Sequence, residues 1–167
     1  MRDPTATAPA PPPMWAIHTD GSAMPNPGRM GLGAVLVAPD GTRHTISRPH
    51  PGTGCNNEAE LLALIDALAW ARQQGAHAVT VHTDSRVITD QLGNPRAPAL
   101  VRIHGLVEQA RLALAGFAAH DLRWIPRHRN AEADALARAA LGMPPKLQAP
   151  HPAKHKAKSK AKLRRHT

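Results

Sequence analysis

The first third of the chain has the apolar and polar patterns of three short β-strands. Residues 15–19 and 33–37 are apolar runs that predict buried strands, and residues 42–48 alternate between apolar and polar positions. A Pro-Asp-Gly turn signal at residues 39–41 separates the last two segments and predicts a hairpin. The chain therefore begins with strands that can pair antiparallel before any helix is made.

After residue 55 the pattern switches between helical and strand spacing. Helices are predicted over residues 56–72, 85–92, 99–117 and 130–141, and strands over residues 78–82 and 122–125. The core stripe expected for the third helix is Val101, Leu106, Val107, Ala110, Leu112 and Leu114. Asn130 is the expected N-cap of the last helix. The order βββαβααβα predicts an α/β fold with a mixed five-stranded sheet and helices on both faces.

The two ends of the chain differ in composition from the body. Residues 1–13 contain five prolines, which predicts a leader without regular structure. Residues 144–167 begin with two prolines and carry eight of the 21 basic residues and no acid, which predicts a disordered basic tail. Residues 14–143 are then the folded domain, with almost balanced charge.

Composition excludes several classes of protein. Apolar residues make up 42% of the chain, which is enough for a core, but aromatic residues make up only 2%, so the core must be aliphatic. No apolar run approaches the ~20 residues that cross a bilayer, which argues against a membrane protein. The single cysteine, Cys55, excludes an internal disulfide framework and favours a reducing compartment such as the cytoplasm.

Four acidic residues occupy positions that are typical of active sites in α/β folds. Asp20 and Asp84 directly follow two predicted strands, while Glu60 and Asp134 lie in the first turns of two predicted helices. Taken singly, each has a plainer interpretation as a turn former, a helix cap or a solvated position. If the two strands are neighbours, however, the acids converge, and clustered carboxylates favour hard divalent cations such as Mg²⁺.

The segments around these acids resemble the type 1 ribonuclease H family. HTDGSAMPNPG, CNNEAELLALI, VHTDSRVI and RHRNAEADALA are similar to the family's four acidic motifs, in the family's order. The similarity extends over about residues 14–142, which is nearly the whole predicted domain. It implies a ribonuclease H-like fold and hydrolysis of the RNA strand of RNA–DNA hybrids, leaving 5′-phosphate and 3′-hydroxyl ends.

The same resemblance implies roles for individual residues. The catalytic, metal-binding carboxylates are Asp20, Glu60, Asp84 and Asp134, which would hold two Mg²⁺ ions, with Mn²⁺ as the alternative metal. His128 is expected to assist catalysis by moving protons. The residues expected to read the 2′-hydroxyl groups of the substrate are Ser22, Asn26, Asn56 and Asn57.

Two interpretations of the whole chain stay open from the sequence. The first is a monomeric hybrid endonuclease whose basic tail binds nucleic-acid phosphates in place of the basic protrusion of some relatives. The alternative is a catalytically inactive nucleic-acid-binding protein with the same fold, which would be expected to lack one or more of the four acids.

Overall fold

The computed structural model describes residues 10–147 of the 167-residue chain. Residues 10–13 form neither helix nor strand. Most of the predicted leader and most of the predicted basic tail, residues 1–9 and 148–167, lie outside the described residues. Among the helices that the structure describes, none has both the length and the apolar character needed to span a bilayer.

Five strands form one mixed sheet: β1 (Met14–Met24), β2 (Gly28–Val37), β3 (Arg43–Gly54), β4 (Ala78–Thr83) and β5 (Ala119–Trp124). Their order across the sheet is β3-β2-β1-β4-β5. Short turns join the first three strands, which pair antiparallel, whereas β1, β4 and β5 pair parallel across helical crossovers. The predicted fold class is confirmed, and β1 and β4 are neighbours.

Four helices cover the sheet: α1 (Asn56–Gln73), α2 (Arg86–Gly93), α3 (His104–Ala115) and α4 (Ala131–Ala139). The main core is aliphatic and joins α1, α2 and α3 to one face of the sheet. A stripe of alanines along α1, each at most 1% exposed, lets this helix pack closely against the sheet: Ala59, Ala63, Ala67 and Ala71. The helix α4 lies on the opposite face, over the backbone of Gly33.

Two strands are longer than their apolar patterns predicted. The strand β1 continues to Met24, so Asp20 lies inside the strand and does not follow it as predicted. Its last residues stay extended because Ser22 and Met24 pair with Gly31 and Arg29 of β2. The strand β3 runs on to Gly54 through Pro49 and Pro51, which an edge strand tolerates because one of its sides has no partner.

The predicted helix over residues 99–117 begins later, at His104. The Gln91 side chain donates a hydrogen bond to the Pro98 carbonyl oxygen at 2.9 Å and thereby holds the preceding segment as a loop. Val101 is 91% exposed and Leu112 is 74% exposed, so both were wrongly placed in the core stripe. The core side of the helix is formed by Val107, Ala110 and Leu114.

Candidate active site

Asp20 and Asp84 lie side by side because β1 and β4 are parallel neighbours. The register pairs His18 with His82, and each aspartate follows two residues later along its strand direction. Asp20 is 6% exposed, and its carboxylate accepts a hydrogen bond from the Gly21 N–H. Asp84 directly follows β4, and its carbonyl oxygen accepts a hydrogen bond from the Trp124 indole. Both backbones are therefore fixed at the same edge of the sheet.

Glu60 reaches these aspartates because α1 begins unusually close to β1. A Cβ atom on Gly21 would lie 2.2 Å from the Ala59 carbonyl carbon and 2.3 Å from the Glu60 nitrogen. Only glycine permits this approach. The first turns of α1 therefore bring the Glu60 carboxylate over the strand that carries Asp20.

Asp134 is brought to the site by the packing of α4 against β1 and β2. A Cβ atom on Gly33 would lie 2.4 Å from the Ala133 carbonyl oxygen, so the helix backbone rests almost directly on the strand. Asn130, at the N-cap position, donates from its side-chain amide to the Thr19 carbonyl oxygen at 2.9 Å. The Asn130 side chain therefore makes this bond to β1 and does not make the predicted cap bond within α4. It ties the start of α4 to the residue before Asp20.

The four acids line one cavity of about 90 Å³, together with Arg127 and Lys146. Ligand oxygens of Asp20, Glu60 and Asp84 all lie within 4.8 Å of one another. Burial, followed by the neighbouring carboxylates, raises the pKa of Asp20 to about 8. Burial also raises the pKa of Glu60 to about 7, against the opposing effect of the Ser85 hydroxyl, and raises the pKa of Asp84. Positive charge at this site would stabilise all three ionised groups.

The chemistry of this donor set fits a divalent metal ion. Glu60 Oε2 is buried and has no hydrogen-bond partner among the described residues, so one strong acceptor in the cavity lacks a donor. Carboxylate oxygens at this spacing are the ligands that Mg²⁺ and Mn²⁺ take in proteins. Asp20, Glu60 and Asp84 would hold such an ion, and Asp134 lies on the wall of the same cavity.

The predicted substrate-reading residues fall into two groups. Ser22 and Asn56 line the cavity with the acids. The Asn56 side-chain oxygen accepts from the Ala23 N–H at 2.8 Å, and the Asn26 side-chain oxygen accepts from the Asn56 N–H at 3.1 Å. These bonds join the turn after β1 to the start of α1. Asn57, which follows Asn56 in α1, is half-buried and is not among the described residues that line the cavity.

His128 is placed beside the site and not inside it. It lies in the short 3-10 helix Arg127–Arg129, is exposed, and is not one of the described cavity-lining residues. Its neighbour Arg127 lines the cavity instead. Cation–carboxylate attraction from Arg127 opposes the upward pKa shifts of Glu60 and Asp84.

Sequence reasoning missed both cations of the cavity. Arg127 was one of two arginines flanking His128, and alternation alone could not tell which of the three faced the acids. Lys146 was assigned to the tail, yet its Nζ lies 2.5 Å from Asp134 Oδ1. The local signal was the pair Pro144-Pro145 directly before Lys146, because proline rings restrict the backbone conformation there.

Known proteins with this fold match the chain over most of its folded part. A family model described as reverse transcriptase-like matches residues 18–140. The crystal structure of RNase H1 from the halophilic archaeon Halobacterium salinarum has a TM-score of 0.72 and 32% identity, covering 77% of this chain and 98% of that one. LC11-RNase H1, solved in complex with an RNA/DNA hybrid, has a TM-score of 0.69 and 29% identity, covering 77% and 96%. A Ribonuclease H of Anaplasma marginale is 35% identical over 142 residues, which are 75% of this chain and 89% of that protein.

The mixed sheet and the acidic cluster at its edge therefore define a protein of the ribonuclease H-like class. Within that class, the chain belongs to the type 1 ribonuclease H family, which confirms the resemblance found in its four motifs. The chain spans 35% of the length of the first curated relatives that it matches, among them the bifunctional protein Rv2228c of Mycobacterium tuberculosis.

Proposed function

We propose that the protein is an endonuclease that hydrolyses the RNA strand of RNA–DNA hybrids with the help of divalent metal ions. The observation that carries this proposal is the acidic triad, whose ligand oxygens lie within 4.8 Å of one another in a ribonuclease H fold. The unpartnered Glu60 Oε2 supports it, because a purely structural cluster would satisfy its buried acceptors. The hybrid bound to the relative LC11-RNase H1 supports the substrate class.

In this proposal each acid has a defined task. Asp20, Glu60 and Asp84 would hold the metal, and Asp134, which lines the same cavity, would complete the carboxylate set. Two Mg²⁺ ions, or Mn²⁺ in their place, would supply an activated water and stabilise the leaving 3′-oxygen, which gives 5′-phosphate and 3′-hydroxyl products. Arg127 lines the cavity where it can contact a phosphate oxygen of the RNA strand.

Selection of RNA would come from Ser22 and the asparagines near the cavity. The Asn56 side-chain oxygen already accepts from the Ala23 N–H, so its amide nitrogen is the atom that can donate to a 2′-hydroxyl oxygen. Asn26 holds Asn56 in place through the Asn56 N–H. We therefore assign contact with the substrate to Ser22 and Asn56, with Asn57 adjacent, and a supporting role to Asn26.

The remaining parts of the proposal rest on the sequence. The basic residues after Lys146 bind phosphates of the hybrid and strengthen binding at low salt. His128 assists proton transfer or product release from the exposed 3-10 helix. The protein acts as a monomer in the cytoplasm. The cytoplasmic location is supported by the single cysteine, which favours a reducing compartment.

The test uses one labelled strand in four settings: an RNA–DNA hybrid, double-stranded RNA, single-stranded RNA and duplex DNA. Each is incubated with Mg²⁺ or with EDTA, and Asp20→Asn is the matched inactive variant. We expect Mg²⁺-dependent internal cuts confined to the RNA strand of the hybrid and absent in Asp20→Asn. Tight hybrid binding without cleavage in Mg²⁺ or Mn²⁺ would instead identify a nucleic-acid-binding protein that has lost catalysis.

A further inference from the structure

The acidic cavity contains a cation supplied by the chain itself. Lys146 lines the cavity, and its Nζ lies 2.5 Å from Asp134 Oδ1. The Asp134 side chain is 16% exposed, whereas the Lys146 side chain is 57% exposed, so an exposed cation contacts a largely buried anion. This geometry differs from that of a surface ion pair, in which both partners are hydrated.

Lys146 reaches Asp134 because the chain turns back after α4. Gly142 adopts a positive φ of 73°, and the Met143 N–H donates to the Arg138 carbonyl oxygen at 3.0 Å, which ends the helix. Arg138 Nε then donates to the Pro144 carbonyl oxygen at 2.8 Å. Pro144 and Pro145 restrict the backbone that follows, so the position of Lys146 is limited by hydrogen bonds and by ring geometry.

A divalent ion and the Lys146 ammonium group would bind the same carboxylate in this cavity. Both are stabilised by Asp134, and a carboxylate oxygen that directly contacts one of them is less available to the other. Lys146 brings one positive charge to Asp134, whereas a divalent ion brings two. The ion is therefore favoured at sufficient concentration, but it must first displace the lysine.

We propose that Lys146 is a built-in competitor of the divalent metal: it neutralises Asp134 when the metal is absent and lowers the affinity of the acidic cavity for the metal. This inference rests on the proposed function, since it concerns the same site. It assigns a regulatory task to the first lysine of the basic segment, separate from any contact of later lysines with nucleic acid.

The first test measures metal affinity without nucleic acid. Isothermal titration calorimetry with Mg²⁺ and with Mn²⁺ compares the full chain with Lys146→Gln and Lys146→Arg. The matched control is Lys154→Gln, which removes the same charge from the part of the chain beyond the described residues. We expect Lys146→Gln to bind metal about 3- to 10-fold more tightly, Lys154→Gln to match wild type, and Lys146→Arg to stay near wild type. Equal or weaker metal affinity in Lys146→Gln would overturn the proposal.

A second measurement identifies Asp134 as the partner. In the Asp134→Asn background, Lys146→Gln should change metal affinity much less, because the directly contacted carboxylate is gone and only the longer-range attraction of Lys146 to Glu60 and Asp84 is left. Thermal unfolding in EDTA should show a lower Tm for Lys146→Gln than for Lys154→Gln, since the acidic cavity loses its own counter-charge. An undiminished effect of Lys146→Gln in the Asp134→Asn background would reject the assigned partner.

Cleavage assays separate this inference from the proposed function. Tighter metal binding by Lys146→Gln in a protein that cuts no hybrid would support the lysine competitor and reject the nuclease. Normal hybrid cleavage with unchanged metal affinity in Lys146→Gln would support the nuclease and reject the lysine competitor. If Lys146→Gln changes only the KM for the hybrid, Lys146 is a phosphate contact and the competitor proposal is wrong.

Discussion

The tripeptide His-Thr-Asp occurs at residues 18–20, within β1, and again at residues 82–84, at the end of the neighbouring strand β4. The two histidines stack with ring centroids 4.4 Å apart and an interplanar angle of 12°. The two aspartates, two residues further on, belong to the acidic cluster. The same short sequence therefore builds two adjacent polar pairs on one face of the sheet.

Burial favours the neutral form in both pairs, with different consequences. Burial, followed by the charge of its partner, lowers the pKa of His18, and burial lowers the pKa of His82. A neutral imidazole pair carries no charge that must be compensated, although His82 Nδ1 has no hydrogen-bond partner among the described residues. The aspartates must be ionised to bind metal, yet burial raises the pKa of both. The difference teaches that the histidine pair needs no counter-ion, whereas the acidic cluster needs positive charge, either from outside or from Arg127 and Lys146.

The strongest test of this contrast replaces one member of each pair, at positions two residues apart in the chain. Asp84→Asn should reduce hybrid cleavage by ~1,000-fold or more, because it removes a metal ligand. His82→Gln, two residues earlier, should leave the cleavage rate within about threefold of wild type. Single-turnover cleavage of the hybrid measures both. A loss of activity in His82→Gln comparable to that in Asp84→Asn would show that the histidine pair belongs to the active site.

The second test concerns Asn130, which links the two regions. It lines a cavity of about 240 Å³ beside His18 and bonds to the carbonyl oxygen of Thr19, between His18 and Asp20. Asn130→Ala should lower the free energy of unfolding by about 1–3 kcal/mol, since a buried hydrogen bond is lost. It should also lower kcat, because α4 carries Asp134. Urea unfolding measures the first effect, and Gln73→Ala at the exposed last residue of α1 is the control, expected to be near neutral.

The third test uses pH in metal-free protein. The pKa of Asp20 is raised from 3.8 to about 8, so its favourable contribution to folding is present at low pH and lost as pH rises through about 8. The pKa of His82 is lowered below 6.5, so its contribution is present above 6.5 and lost as pH falls.

Thermal unfolding in EDTA should therefore separate the two pairs. Relative to wild type, the Tm of Asp20→Asn should rise by several degrees as pH increases from 6 to 9. The Tm of His82→Gln should instead gain on wild type as pH decreases from 7 to 5. Excess Mg²⁺ should remove most of the pH dependence above pH 6. If the Tm of both variants, relative to wild type, changed in the same direction with pH, the opposite pKa shifts of Asp20 and His82 would be contradicted.

The smallest expected effect concerns a third histidine. His128→Ala should lower kcat several-fold while the fold persists, because an exposed imidazole near the acids can move protons but holds no metal. His120→Ala, at an exposed position of β5, is the matched control. Unchanged turnover in His128→Ala would remove this residue from the mechanism.

Much of this architecture could be predicted from local patterns. The position of Asp84 after a predicted strand was correct, and the helical spacing of apolar residues placed Glu60 in the first turns of α1. The end of β1 could not be predicted, because Gly21 and Ser22 have weak strand preference and are held by pairing with β2. Tertiary pairing there overrides propensity.

The parts that escaped prediction depend on contacts distant in sequence. The late start of α3 depends on the Gln91 side chain, which no pattern within residues 99–117 reveals. The use of Asn130 depends on Thr19, which lies 111 residues away. The position of Lys146 depends on the turn that follows α4 and on its ion pair with Asp134. Periodicity identifies elements, but it does not identify side chains that cross between them.

The prolines in β3 have a consequence for how copies of this protein meet one another. An exposed strand edge is a template on which a further chain can add by backbone pairing. β3 is an edge of the sheet, and Pro49 and Pro51 have no N–H to offer to an incoming strand. The long free edge of the sheet is thereby protected from extension by a further strand and from the aggregation that such pairing would start.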